Sequence, residues 1–520
     1  YLSILKKYYE LEIQLLIRLY EKSADVRLLE RAWQTHEKIR ARSLLENLIE
    51  SGLNLSEFAP EDFFATEQVL LEAVAAAELK RTEAERAKNP ALQKAAEADL
   101  NKKLDEYQIL QENVRQKNPQ FSAINQPKDF SLTEAQDLLD DETAILEFAL
   151  GEQQSYVFVI RKNAFKLAKL PAKDALGEDV RAFYMALTDR DAKTDDTITE
   201  SSKVLSRKIL APVAADLKDI KQLVVIADGA LQLIPFSALT LAPEAGYEPL
   251  AAAIEIVNAP SFSSLVFQGE NKARRQKSSE KLLAVFADPI FQEDDERFSI
   301  EKSARPKTAT IKDNSDNLAQ VLRDFGLERL ARLPFSGVEA RAIGKFAPER
   351  TVLALGADAS RQKFLRGDFN SYRILHFATH GFLDQQNPEL SGLVLSLYDE
   401  KRNSQNGFLR VIDLYSLHLN TDLVVLSACQ TALGKEIDGE GIVGLTRGFM
   451  YAGASGVVSS LWKVEDRATA ELMKIFYRKM LVENQTPASA LRAAQNELRK
   501  IPRFKNPRFW SGFTLNGEWR

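Results

Sequence analysis

Cysteine is all but missing from this chain. Its 520 residues include a single one, Cys429. That excludes an intrachain disulfide and any zinc or iron–sulfur site built on several thiolates. Such sparse use of cysteine suits a reducing cytoplasm. Histidine is nearly as scarce, limited to His36, His376, His380 and His418, so chemistry that needs thiolate or imidazole has few places to reside. An excess of one charge is also lacking: Lys+Arg 69 against Asp+Glu 74 leave a net charge of −5, which offers no broad basic face to nucleic acid. No stretch approaches the roughly 18 apolar residues of a membrane span. Neither a phosphate loop ending Gly-Lys-Ser/Thr nor a Gly-x-Ser-x-Gly elbow occurs. What is there, 45% hydrophobic and 28% charged residues, is the composition of folded globular domains, and the length allows about three of them. The chain opens at Tyr1 rather than Met and reads as trimmed from a longer protein, with a signal peptide or upstream repeats among what could precede it.

Glycine divides the chain. Of 23 glycines only Gly52 falls within the first 150 residues, and a residue so costly in helix interiors is absent where helices are long. Residues 1–51 read as paired amphipathic helices, with Leu2, Leu5, Tyr8 and Tyr9 and then Leu28, Leu29 and Trp33 at helical spacing. The run from Arg27 to Glu50 is expected to stop at Ser51-Gly52. Residues 66–116, rich in Ala, Glu, Lys, Leu and Gln, predict two long antiparallel helices broken near Asn89-Pro90. The plain reading of this arm, 1–118, is a solvated helical hairpin; the sharper one is a partner-binding arm of helical repeats.

Beyond about residue 128 short apolar runs appear: Ala144–Phe148, Tyr156–Ile160, Leu223–Ala227, Leu282–Ala287, Val352–Leu355, Ile374–Ala378, Leu423–Leu426 and Val457–Leu461. Several are apolar on both faces, as in a parallel sheet between helices. The segments 266–280 and 302–316 read as exposed linkers. A boundary near 275 is expected, giving α/β units at about 128–275 and 280–520.

Two strand ends carry the chemistry. One run, Ile374-Leu375-His376-Phe377-Ala378, leads into Thr379-His380-Gly381. Another, Leu423-Val424-Val425-Leu426, leads into Ser427-Ala428-Cys429, 49 positions after His380. Ligand sites form at the carboxyl ends of strands in open α/β sheets. A free thiol is only a few per cent thiolate at neutral pH, so an imidazole beside it is what nucleophilic catalysis needs. The backbone N–H groups of Gly381 and Cys429 could hold a developing oxyanion. Taken singly, Cys429 reads as a small buried hydrophobe and a His-Gly pair as nothing special; the pairing is what raises the catalytic reading. A metal reading of His376 and His380 is disfavoured, because position 377 is Phe rather than Glu and residues i and i+4 of a strand stand about 13 Å apart. Neither metal nor cofactor is expected. Asp438-Gly439-Glu440-Gly441 reads as a flexible loop entering a helix.

From about residue 128 the chain resembles CHAT domains, caspase-like modules related to separase and usually joined to tetratricopeptide repeats. The resemblance is carried, in order, by Asp228-Gly229 with Leu233-Ile234-Pro235-Phe236, by His376 to Gly381, by Leu426 to Thr431, by Gly439-Glu440-Gly441 with Gly444-Leu445 and Arg447-Gly448-Phe449, and by Ala452-Gly453-Ala454, Val457-Val458 and Ser460 to Asp466. Ala41-Arg42-Ser43-Leu44-Leu45 ahead of Gly52 is similar to the last repeats before such domains. The resemblance implies an α/β caspase-like sandwich with a pseudo-protease half and an active half behind an all-α arm. It implies a cysteine endopeptidase with His380 as base and Cys429 as nucleophile, set in a bacterial cytoplasm; the His–Cys separation is close to the roughly 50 residues of caspases. The stretch Ser459-Ser460-Leu461-Trp462 resembles the caspase segment that pairs with substrate backbone, and Asp466 stands just beyond it. Relatives directed to Arg or Lys use an acidic pocket residue, for which Asp384, Asp399 and Asp466 are the candidates, each also at home as a capping or surface residue. Expected partners are a protein substrate and an activator held by the arm, with no direct nucleic acid and no membrane span. The alternative is a caspase-like scaffold that binds proteins and has lost activity.

Overall fold

The computed structural model describes residues 2–40, scattered positions between 66 and 84, and then 90–117, 130–189, 195–274, 281–299, 330–382, 390–414, 417–427, 435–437 and 441–518. Cys429, Asp384, the 302–316 linker, Ala41–Leu45, Gly52, Gly434 and Gly439 lie outside the described residues.

Two helices open the chain, α1 (Leu2–Ser23) and α2 (Val26–Ile39). Asp25 caps α2, its carboxylate accepting from the Arg27 N–H at 3.1 Å. Ile13, Leu16 and Ile17 of α1 and Leu29, Ala32 and Trp33 of α2 are buried in the same core as the sheet that follows. The helix expected to reach Glu50 ends at Ile39 instead. Arg40 turns extended (φ −74°, ψ 135°), and its guanidinium donates to the carbonyls of Phe148, Ala227 and Pro260. Tertiary bonds of this kind override helix propensity. A further helix begins at Pro90 and runs to Lys117, the position where proline is tolerated.

The body is built on an eleven-stranded sheet. In chain order the strands are β1 (Thr143–Ala149), β2 (Ser155–Arg161), β3 (Ala164–Leu170), β4 (Gln222–Ile226), β5 (Glu255–Asn258), β6 (Leu283–Ala287), β7 (Thr351–Leu355), β8 (Ile374–Ala378), β9 (His380–Phe382), β10 (Gly392–Val394), β11 (Phe408–Arg410), β12 (Leu423–Leu426), β13 (Lys435–Ile437), β14 (Gly441–Val443), β15 (Gly456–Ser460) and β16 (Phe513–Gly517). The large sheet has the order β3-β2-β1-β4-β5-β16-β15-β12-β8-β6-β7, while β9, β10 and β11 form a small sheet and β13 pairs with β14. All eight apolar runs marked in the sequence are strands.

Strands β1, β4, β5 and β16 are parallel to one another. Strands β15, β12, β8, β6 and β7 are parallel to one another. The two blocks point in opposite directions, because β15 pairs antiparallel with β16. The sheet is continuous through β16, the last strand of the chain, which meets β5 at Leu515↔Val257 and Asn516↔Asn258. Alternate side chains enter separate cores on the two faces: Ile374 and Ala378 of β8 and Val425 of β12 join one, Leu375 and Phe377 of β8 and Leu426 of β12 the other. The architecture is thus an α/β sandwich, a mostly parallel sheet between helices, with helices packed on it from the amino terminus. Among the described residues no helix is long and apolar enough to cross a membrane.

Candidate active site

Strand β8 lies between β6 and β12, buried along its whole length. His376 sits within it and is fully buried. Its Nδ1 stands 3.0 Å from the Tyr477 hydroxyl and its Nε2 2.8 Å from Oε1 of Glu339, itself 1% exposed. This imidazole ties the strand to the helices Pro334–Gly344 and Asp466–Leu481, so His376 is built into the core. Burial, with Glu339 adding to it, holds the Tyr477 phenol well above its ordinary pKa.

Past Ala378 the chain leaves the large sheet. Thr379 is buried, its hydroxyl donating to the Val394 carbonyl, and His380 opens β9, which runs antiparallel to β10 with Gly381 opposite Leu393. The pairing of β10 with β11 on its other side depends on Gly392, where a Cβ would stand 2.3 Å from the Leu409 carbonyl oxygen. His380 is 6% exposed. Its ring lies 5.1 Å from that of Phe291, and its Nε2 is 2.7 Å from the carbonyl oxygen of Ala331. A carbonyl can only accept, so Nε2 carries the proton and Nδ1 keeps the lone pair. Burial pushes the imidazole below its ordinary pKa, against the Ala331 hydrogen bond, which favours the charged form; the Lys463 charge acts with burial. The group is therefore neutral at pH 7, with one nitrogen bonded and the other basic.

Strand β12 runs alongside β8, with Leu426 opposite Phe377, and the Ser427 N–H donates to the Phe377 carbonyl at 2.8 Å. The description of this segment stops at Ser427, two residues short of Cys429. The chain leaves β12 at the end of the sheet where His380 stands. A Cys429–His380 distance and the Gly381–Cys429 oxyanion pair lie outside the described residues.

A cavity of about 420 Å³ opens at the same end of the sheet, a volume in the range of small-ligand sites. Thr379, Ser427, Ser460, Trp462 and Asp466 line it, with apolar walls from Leu187 and Phe513. Trp462 is 3% exposed, and its indole N–H donates to the Arg508 carbonyl at 3.2 Å, so the ring is held as a wall. Gly512 makes room for it, since a Cβ there would lie 3.1 Å from the indole. Asp466 starts the helix Asp466–Leu481 and accepts from the Phe335 N–H at 3.0 Å. Burial pushes its carboxyl up to about 6; the charges of Glu339, Asp288 and Glu465 push the same way and the Phe335 N–H opposes them.

One expectation is corrected. Ser459 and Ser460 are not a free edge for a peptide: β15 is paired on both sides, Leu426↔Ser459 on one and Ser459↔Thr514 and Ser460↔Phe513 on the other, and the Leu461 N–H donates to the Gly512 carbonyl. The Ser459 hydroxyl is fully buried, 3.1 Å from that of Thr446. Asp399 takes the capping role that the sequence also allowed, shaping a turn: its carboxylate accepts from the N–H groups of Lys401 and Asn403, each at 2.8 Å. Of the three acidic candidates, Asp466 lines the cavity. Sequence reasoning missed Ala331, because a backbone carbonyl leaves no mark on residue type.

The CHAT domain family pattern matches residues 199–518. Tetratricopeptide repeat protein 28 of Mus musculus is 40% identical over 110 residues, 21% of this chain and 4% of that protein. Its counterpart in Homo sapiens is 24% identical over 335 residues, 57% of this chain and 12% of that protein. The chain thus spans a small part of these relatives' length. Among solved structures, the separase–securin complex of Saccharomyces cerevisiae is similar at a TM-score of 0.45 and 9% identity, over 94% of this chain and 40% of that one.

Proposed function

Because the chain belongs to the CHAT domain family, we propose that it is a cysteine endopeptidase acting through His380 and Cys429. Nδ1 of His380 takes the proton of the Cys429 thiol. The thiolate attacks the scissile carbonyl carbon, and the oxyanion rests on the N–H groups of Gly381 and Cys429. The imidazolium then gives its proton to the leaving amine, forming an acyl-enzyme. Water, deprotonated at Nδ1, attacks the acyl carbon and releases the acid as the thiol re-forms. The observation that carries this reading is the state of His380: a neutral buried imidazole with Nε2–H engaged by Ala331, at the end of the strand next to the one that leads toward Cys429.

The side chain before the cut enters the cavity beside Trp462 and Asp466. The substrate backbone runs past 462–464, since Ser459 and Ser460 are already paired and the Leu461 N–H is bonded to Gly512. In this reading 280–520 is the active half and 128–275 the pseudo-protease half. The amino-terminal arm, 1–118, receives the protein that switches cleavage on, by favouring the form in which His380 and Cys429 are aligned. A lone cysteine nucleophile suits a reducing cytoplasm.

The experiment compares new protein termini made in a lysate by the wild type, Cys429→Ala and His380→Ala. Each single change is expected to reduce cleavage by about 10⁴- to 10⁶-fold, the scale for members of one catalytic unit. Near-wild-type cleavage by either folded variant removes the dyad. Cys429 left unlabelled by electrophilic peptides, with and without lysate, would favour the scaffold.

A further inference from the structure

Next to His380 the chain passes through an ion-paired bracket that the mechanism above does not use. Strand β6 ends at Ala287, and Asp288 follows with φ +50°, a left-handed conformation that Asp adopts more readily than most residues. Turned this way, its carboxylate is 5% exposed and receives both arms of the Arg332 guanidinium, Nε to Oδ1 and Nη2 to Oδ2, each at 2.9 Å. Three further contacts hold Asp288 in place. Its N–H donates to the Ser336 hydroxyl at 3.0 Å, its carbonyl accepts from Arg297 Nη1 at 2.6 Å, and the same Nη1 lies 3.2 Å from Oδ1. Gly337 leaves space for the carboxylate, since a Cβ there would stand 3.0 Å from Oδ2.

Arg332 directly follows Ala331, the residue whose carbonyl accepts from His380 Nε2. The Ala331 carbonyl shares one rigid peptide plane with the nitrogen and Cα of Arg332. A bidentate Arg–carboxylate pair sets direction as well as distance, so clamping Arg332 aims that oxygen. Ala331 itself is exposed; on its amino side Leu330 is anchored in a core with Ile290 and Phe291 and its carbonyl accepts from the Gln292 amide at 3.0 Å, so Arg332 fixes the plane from the other side.

We propose that Asp288 and Arg332 are positioning residues whose bidentate pair aims the Ala331 carbonyl at Nε2 of His380 and thereby presents Nδ1 as the basic nitrogen. The proposal rests on the reading of His380 as the base of a cysteine peptidase. It assigns a role to an acid at the end of β6, the strand on the far side of β8 from β12, so that three neighbouring strand ends contribute to one proton transfer.

Two readouts on the full chain test it. The first needs no cleavage: the Nε2–H proton resonance of His380, expected to exchange slowly with water in the wild type and to be lost or broadened in Arg332→Ala. The second is the pH profile of alkylation by iodoacetamide, which reports on Cys429 alone because the chain has one cysteine. Arg332→Ala is expected to slow alkylation at neutral pH by roughly tenfold and move the midpoint toward the ordinary thiol value of about 8.5. Arg332→Lys and Asp288→Asn should fall between, each keeping part of the pair. Gly337→Ala, which presses on the Asp288 carboxylate without touching His380, should move both readouts in the same direction; together with Arg332→Lys it carries the test if Arg332→Ala does not fold. The control is Arg361→Ala, which removes another bidentate pair, to Asp413 at 2.7 and 3.1 Å. If Arg332→Ala leaves both readouts at wild-type values, or if Arg361→Ala moves them equally, the bracket has no positioning role. If wild-type Cys429 alkylates as a free thiol and ignores His380→Ala, the peptidase reading fails instead, while the resonance still judges the bracket.

Discussion

At the carboxyl ends of β1, β4 and β5 stands Arg40; at the carboxyl end of β8 stands His380. Both ends belong to parallel blocks of one sheet, and an open α/β sheet offers a ligand site at such ends. At the first, the Arg40 guanidinium binds the carbonyls of Phe148, Ala227 and Pro260 and lies 3.6 Å from Asp228. Behind it the Glu147 carboxylate, fully buried in β1, accepts from the Trp33 indole at 2.6 Å and lies 2.6 Å from His36 Nδ1. Glu37 accepts from the N–H groups of Phe262 and Ser263. Helix α2 thus closes this end with polar groups that satisfy one another. At the second end one imidazole nitrogen keeps its lone pair, and a cavity of about 420 Å³ remains among the described residues. What separates a filled strand end from an open one is whether a neighbouring element supplies the partners.

The largest effect should come from unstoppering the closed end. Arg40→Met keeps the length of the side chain but leaves Asp228 and the strand-end carbonyls without their cation. Removing one partner of a buried charge cluster costs about 3–5 kcal/mol, read as a lower urea midpoint with an unchanged slope. A loss below about 1 kcal/mol would mean that Arg40 decorates this end without closing it. The same packing bears on how the arm is tested. Because α1 and α2 share the main core, deleting 1–118 strips the sheet as well as any partner site, so point changes on exposed α1 residues such as Leu11 and Leu15, 64% and 56% exposed, are the cleaner probe.

Next is the contrast between the two histidines of β8 and β9. His376→Gln keeps a polar group between Tyr477 and Glu339 at some loss of geometry, and is expected to cost about 1–2 kcal/mol with cleavage per folded molecule retained. His380→Ala should do the reverse, with little loss of stability and no cleavage. A His376→Gln protein that melts like the wild type yet cannot cleave would erase the distinction.

The placement of the two histidines was legible in the sequence, since His376 lies inside an apolar run and His380 just past its end. The strands buried on both faces were legible for the same reason: continuous apolar runs such as Leu423–Leu426 read only one way. Strand β3 was missed because it is an edge strand in which Lys166 and Lys169, three positions apart, break the alternation of a strand. Strand β5 is four residues long with Glu255 and Asn258 at its ends, too short for a period to register. The stop at Ile39 was missed because its cause is distant in the chain: the carbonyls that Arg40 meets belong to residues 148, 227 and 260. The Ala331 carbonyl and its bracket were illegible for the same reason.

The smallest effect is at the open end. Asp466 lines the cavity with its carboxyl raised to about 6, chiefly by burial, above the 3.8 of an unperturbed group. The folded value is the higher one, so the stability linked to this group is fully present below about 3.8 and is lost as pH rises through about 6. Asp466 is only half-buried, and water screens the cost to below about 1 kcal/mol. Asp466→Asn is therefore expected to flatten the fall in stability between about pH 4 and 7, with a small gain near neutrality, measured by urea melts across that range. A curve parallel to the wild type would assign the slope to other groups. The same ionisation adds a carboxylate charge, above about pH 6, to a cavity that Lys463, Arg508 and Glu465 also line. In a positional peptide library, preference for a cationic side chain before the cut should thus rise through that pH and vanish in Asp466→Asn, while apolar side chains stay level. A profile flat in every position would mean that docking outside the cavity selects the substrate, and that this end of the sheet differs from the closed one in reactivity alone.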